Sequence, residues 1–254
     1  MMGTEEPQIV AHRGFAAEFP ENSISAVRNA CQYADGVEID VRCCGSGELV
    51  AAHDPWIGPL WARKPIDRCS WSELSAITAT ETADSIARIS ELIAAATPDT
   101  LMVFELKDVR AADRLVTVVD DLATKPIVSS SSRDALATIA SYNTDVLTAF
   151  VHMPSLTQQI MGVPAKRIPQ MIPSLVDIDS IVEEAIALEC DEVHLRYELC
   201  LHTDIVDRAH ANDLSVAAWT VRSAGVYREL ADRQVDRVIA DTWRFAGGRP
   251  NSKT

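Results

Sequence analysis

The chain has 254 residues, 47% hydrophobic and 24% charged, which is enough apolar material for the core of one large α/β domain. Its formal net charge of -14 argues against a nucleic-acid partner, because binding to phosphate backbones rests on clustered Lys and Arg. No stretch reaches the roughly 18 uninterrupted apolar residues of a membrane helix, and MMGTEEPQIV lacks a basic or apolar leader, so no stable membrane insertion and a cytoplasmic location are expected.

Short, β-branched-rich apolar runs recur near 8–12, 36–42, 101–106, 126–130, 145–151, 191–195, 215–220 and 237–240. Their nearly continuous apolar character marks strands buried on both faces. Between them lie amphipathic helical segments at 22–33, 84–96, 111–122, 133–141, 177–188, 202–212 and 223–232, the first opened by Asn22-Ser23. Strand and helix alternate about eight times, which predicts a (β/α)8 TIM barrel over a single domain, residues 1–254, with no linker or internal repeat. Two stretches exceed a minimal repeat and are expected as loop insertions: 54–83, directly after His53, and the proline-rich 152–176. Six cysteines without a C-x-x-C pair read as reduced, mostly buried thiols, with the adjacent Cys43 and Cys44 expected on a surface loop.

Five polar residues end apolar runs: His12 in IVAHRG, Glu38 and Asp40 in DGVEID, His53 in ELVAAHD and Glu105 in LMVFELK. Ligands and catalytic groups gather at the carboxyl ends of strands in parallel α/β folds. Glu38 and Asp40 stand two apart on a strand and so share a face, where with Glu105 they can hold one hard divalent cation through oxygen. The alternative is that these carboxylates pair with Arg42 and Lys107 as ordinary strand-end charges. His12 and His53 are suited to exchange protons near neutral pH, and neither has a zinc-ligand spacing. Arg13 offers a planar fork for phosphate oxygens and Lys107 a compact charge; the alternative for both, Lys107 more than Arg13, is a salt-bridge partner. Trp219, in VAAWTV, either walls a pocket or joins the core, and His152 and His194 are set aside as structural or peripheral.

The series AHRGFAAEFPENSISAV, GVEIDV, ELVAAHD, FELK, AWTV and RVIAD resembles the glycerophosphodiester phosphodiesterase family in order and interval over residues 9 to about 242. The resemblance implies a TIM barrel that hydrolyses small-molecule phosphodiesters with one bound divalent cation, Ca²⁺ or Mg²⁺. It implies further that His12 and His53 are the acid–base pair, that Glu38, Asp40 and Glu105 ligate the metal, and that Arg13 and Lys107 contact the phosphate. Trp219 would face the alcohol, and Glu21 and Asn22 of the P-E-N motif would support the site. The same residues would serve a lyase-like reaction giving a cyclic phosphate, and a non-catalytic barrel binding a phosphorylated small molecule is the other reading. Two segments depart from the family pattern: Cys43-Cys44-Gly45-Ser46-Gly47 replaces a Thr and an Asp-Gly turn, and PWIGPLWARKPI replaces an Arg-Thr-Thr stretch after His53. A bulkier cover bearing Trp56 and Trp61 is therefore expected over the substrate, making simple glycerophosphodiesters poor substrates.

Overall fold

The computed structural model describes residues 6–78, 86–142, 144–153 and 177–245. Eight parallel strands form the sheet: β1 (Gln8–Ala11), β2 (Gly36–Cys43), β6 (Leu101–Leu106), β7 (Ile127–Ser130), β8 (Leu147–Val151), β9 (Glu192–Arg196), β10 (Ser215–Val221) and β11 (Arg237–Ala240). They run in the order β1-β11-β10-β9-β8-β7-β6-β2, and pairing of β1 with β2 closes the barrel. Each strand lies within two residues of its predicted run.

Alternation along the strands sorts side chains into two cores. One phase packs outward against the helical shell, among it Ala11, Ile39, Phe104, Leu195, Ala218 and Val238. The other phase fills the barrel interior with Val10, Val103, Ile127, Ala149, Ala217 and Ile239. Continuing that inward phase two residues further along each strand reaches His12, Glu105, Ser129, Val151, Trp219 and Asp241. On β2 it gives Glu38 and Asp40, and on β9 Glu192, His194 and Arg196. The polar site is thus the top layer of the barrel's own packing pattern.

Helices start where short polar side chains cap them. Ser23 Oγ accepts from Ala26 N at 3.1 Å at the head of Ile24–Tyr33, and Asp177 accepts from Ser180 N at 3.1 Å at the head of Ile178–Ala187. The predicted helix 202–212 is instead two short ones, Tyr197–His202 and Ile205–His210. Thr203 separates them in extended conformation, its hydroxyl donating to Leu199 O at 2.7 Å and accepting from Ile205 N at 3.3 Å.

The run before His53 is not a barrel stave. It is β3 (Leu49–Ala51), which returns antiparallel on β2. The insertion that follows folds as a small hairpin of β4 (Trp56–Ile57) with β5 (Lys64–Pro65) and a helix, Trp71–Thr78, over a satellite core of Cys44, Val50, Ile66, Cys69 and Leu74. Cys43 and Cys44 are both buried, contrary to the surface loop expected of them: Cys43 ends β2 and packs in the main core, and Cys44 lies in the satellite core under the insertion. The second expected insertion, 152–176, lies outside the described residues beyond position 153. No helix among the described residues is long and apolar enough to cross a membrane.

Candidate active site

The turn after β1 sets the geometry of the site. Arg13, Gly14 and Phe15 all have positive φ. Gly14 has no substitute here: at φ +77° a Cβ would lie 2.5 Å from Ala26 Cβ and 2.9 Å from Ala26 C. The close approach lets Arg13 N donate to Glu38 Oε2 at 2.9 Å. Asn22, at φ 57°, accepts from Asp40 N at 3.1 Å through Oδ1 and donates from Nδ2 to Asp40 Oδ2 at 3.0 Å, locking the loop to β2. Glu21 takes Arg13 Nη1 at 2.8 Å while Arg13 Nε lies 3.0 Å from Asp40 Oδ2. The P-E-N segment therefore holds Arg13 and Asp40 in place.

Asp40 sits opposite Glu105 in the β2–β6 register. One oxygen from each of Glu38, Asp40 and Glu105 lies within 4.8 Å of the others. Lys107 Nζ bonds Glu105 and approaches Asp40 Oδ1 at 3.2 Å, off hydrogen-bonding geometry, whereas Glu38 Oε1 is buried with no hydrogen-bond partner among the described residues. Burial and the neighbouring Asp40 charge push the Glu38 carboxyl up to about 8. Asp40, although burial opposes its ionisation, is held below the usual carboxylate range by Lys107, Arg13 and Asn22. Three converging carboxylates, two of which (Glu38 and Asp40) have a buried oxygen with no hydrogen-bond partner among the described residues, are a donor set that fits a hard divalent cation.

His12, Arg13, Glu38, His53, Glu105, Lys107 and Trp219 line one cavity of about 210 Å³, with Asp40 buried behind them. Every predicted site residue is thus in this cavity or in contact with a residue that is. His53 is the least enclosed, its side chain 41% exposed and its Nδ1 3.0 Å from Asp54 Oδ1, because it follows the short antiparallel β3 rather than a stave. Its carbonyl accepts from Arg42 Nε at 3.0 Å and Nη2 at 2.6 Å. Arg42 thus anchors the His53 loop and forms no ion pair with the acidic cluster.

Of two further residues at the site, Asp241 was not singled out from sequence and His194 was set aside as structural or peripheral. Asp241, following β11, accepts from His12 Nδ1 at 2.5 Å, and His194 lines the cavity above Glu192. Asp241 carried the same signal as the others, a carboxylate ending the apolar run RVIAD; His194 did too, in DEVHL. Trp56 and Trp61 do not line this cavity. Trp61 is 88% exposed, and Trp56 borders a neighbouring hollow beside Glu21 and Asn22, so the expected bulky cover over the substrate is not formed by either.

The model of the glycerophosphoryl diester phosphodiesterase family matches residues 12–244. The chain belongs to this family. A glycerophosphodiester phosphodiesterase from Caldanaerobacter subterraneus subsp. tengcongensis is 45% identical over 47 residues, 18% of this chain and 19% of that relative, so the match to curated relatives spans about a fifth of their length. The crystal structure of a family member from Thermotoga maritima has a TM-score of 0.75 at 22% identity, covering 96% of this chain and 98% of that one. A phosphodiesterase from Oleispira antarctica, solved with its product sn-glycerol-3-phosphate, also has a TM-score of 0.75 at 19% identity, covering 95% and 96%. At these identities the two structures show the shared barrel fold.

Proposed function

We propose that this family member is a metal-dependent phosphodiesterase that splits a glycerophosphodiester-like small molecule into an alcohol and a phosphomonoester. The observation carrying this reading is the convergence of His12 and His53 on one cavity with the Glu38, Asp40 and Glu105 oxygens, which lie within 4.8 Å of one another. Those three carboxylates would hold the divalent cation, Ca²⁺ or Mg²⁺. When bound there, it supplies positive charge against the phosphoryl oxygens.

The chain's own groups do the rest. Asp241 is ionised and only accepts, so His12 Nδ1 carries a proton toward it and Nε2 is the atom that takes or gives the mobile proton. His53 is the second proton-transfer group, with its open position suited to exchange with solvent. One imidazole removes the proton of a water that attacks phosphorus; the other protonates the alcohol oxygen as its bond to phosphorus breaks. Arg13 and Lys107 add donors for the phosphate oxygens, and Trp219 walls the alcohol side. Glu21 and Asn22 hold Arg13 and Asp40. We take residues 1–254 as one barrel domain acting in the cytoplasm, a location supported by six cysteines that form no disulfide.

The test is release of alcohol and sn-glycerol-3-phosphate from glycerophosphodiesters, with and without EDTA. Turnover that persists in chelated protein overturns metal dependence; a cyclic phosphate product assigns a lyase; binding without turnover of any diester leaves a phosphate-binding barrel.

A further inference from the structure

A second cavity, of about 290 Å³, shares Trp219, Thr220 and Arg222 with the one just described and contains none of the acidic cluster. Two guanidiniums border it, Arg196, which the first cavity lacks, and the shared Arg222. Arg196 is the β9 partner of Trp219 in register and lies 5.8 Å over its ring. Its Nη2 donates to Glu198 Oε1 at 3.1 Å, and Glu198 is only 2% exposed. Arg196 Nε, Trp219 Nε1 and Glu198 Oε2 are all buried without a hydrogen-bond partner among the described residues. Arg222, on the opposite rim, gives Nε to Asp241 at 2.5 Å, and its two Nη groups make no hydrogen bond among the described residues.

In a chain of net charge -14, this cavity gathers two guanidiniums, each engaged by one carboxylate, Arg196 by Glu198 and Arg222 by Asp241, and each keeps N–H groups with no hydrogen-bond partner among the described residues. Planar guanidiniums with unused N–H groups match carboxylate and phosphate oxygens. A quaternary ammonium finds no seat here. It would meet like charge from both arginines, and the Trp219 face that could attract it is already covered by Arg196.

We infer that this cavity is the subsite for the alcohol half of the diester, and that it takes an alcohol bearing an oxyanion in preference to one bearing a trimethylammonium group. The inference rests on the phosphodiesterase reading above for what occupies the first cavity. Arg196 is the specificity residue, positioned by Glu198, and Arg222, its side chain 66% exposed, stands on the open rim of the same subsite while bracing Asp241.

Three glycerol 3-phosphate diesters test it: those of glycolate, ethylene glycol and choline, anionic, neutral and cationic in turn. With Mg²⁺ or Ca²⁺ present, kcat/KM falls in that order, with at least about tenfold between the ends, carried mainly by KM and shrinking as ionic strength rises. Arg196→Met brings the three values together by lowering the glycolate diester most. Non-hydrolysable phosphonate versions of the same diesters, followed by calorimetry, give the binding order without turnover. If nothing is hydrolysed but the glycolate analogue still binds at least tenfold more tightly than the choline analogue, the subsite stands and the hydrolytic reading falls. Equal values across the series, a preference for choline, or an Arg196→Met variant that lowers all three equally overturns the subsite. The wild-type series decides the sign by itself, so the inference stays exposed even if Arg196→Met does not fold.

Discussion

His12 and Asp241 meet at the closure of the barrel, Nδ1 to Oδ1 at 2.5 Å, although 229 positions separate them in the chain. Parallel pairing of β1 with β11, with Ala11 opposite Ala240, sets the next residue of each strand side by side. Burial disfavours the imidazolium, but the Asp241 hydrogen bond and the charge of Glu38 outweigh it, so the His12 pKa rises above its ordinary value. Asp241 also holds Arg222, and a single carboxylate thus ties His12 to the rim of the second cavity.

Asp241→Asn is expected to leave a folded protein with turnover lowered by about 10- to 1000-fold, since the imidazole loses the group that fixes its tautomer. The variant also reports on pH. A histidine whose folded pKa is raised stabilises the fold fully below its unfolded value of about 6.5, and that stabilisation is lost as pH rises through the folded value. Wild-type metal-free protein should therefore lose its Tm advantage over Asp241→Asn as pH rises from about 6 to 8. A Tm difference that stays constant over that window shows that Asp241 does not charge His12.

The acidic cluster predicts a second measurement that needs no substrate. Mg²⁺ or Ca²⁺ at about 100 times its dissociation constant should stabilise the fold by roughly 2.7 kcal/mol. Asp40→Asn or Glu105→Gln should remove most of that gain, because each takes away one of three oxygen donors. Thermal melts with and without EDTA read it. An equal metal-induced shift in wild type and both variants places the ion elsewhere.

His12→Ala and His53→Ala are each expected to lower turnover by on the order of 10²–10⁴. The double variant should be little worse than the worse single one, since the two act in one proton transfer sequence. Additive losses would separate their roles. Circular dichroism checks the fold, and His53→Ala should be the milder of the two for stability, given the exposure of its side chain.

Most of this architecture was readable in the amino-acid sequence because a barrel imposes two strict periods, strand alternation and strand–helix repetition, and both leave marks in composition. IVAHRG, DGVEID and LMVFELK show the inward phase turning polar at a strand end, and the structure brings those residues together. ELVAAHD reads the same way but belongs to an antiparallel return, because a short apolar run carries no sign of its direction. Asp241 ends RVIAD with the same mark, but its pairing with His12 was hidden: the two stand at opposite ends of the chain, and only closure of the sheet brings them together. Trp56 and Trp61 misled because aromatic residues next to a site motif suggest a cover, whereas the tight β4–β5 hairpin turns Trp61 outward. Cys44 misled because a Gly-Ser-Gly sequence looks exposed when the insertion packed over it is out of view, and Cys43 because β2 runs one residue past its apolar pattern.

Beneath the site lies a buried ionic chain whose removal should cost stability before it costs chemistry. Arg237 Nη1 donates to Glu192 Oε2 at 2.6 Å, and Glu192 Oε1 stands 3.2 Å from His194 Nε2, with Glu192 and His194 both nearly inaccessible to solvent. A strand interior that elsewhere carries Val and Ile here carries an ion pair, Glu192 with Arg237 across β9 and β11, with His194 beside it. Such a chain is weak evidence of net stabilisation, because desolvation offsets attraction, but breaking it leaves a buried charge without its partner. Glu192→Leu is therefore expected to destabilise the fold by roughly 3–5 kcal/mol, through the unpaired Arg237. Glu192→Leu combined with Arg237→Met should recover a large part of that loss, since neither charge is then left alone. Urea unfolding of the two variants beside wild type measures it, and a double variant no more stable than Glu192→Leu would show that the cost lies in packing around residue 192 rather than in the stranded guanidinium.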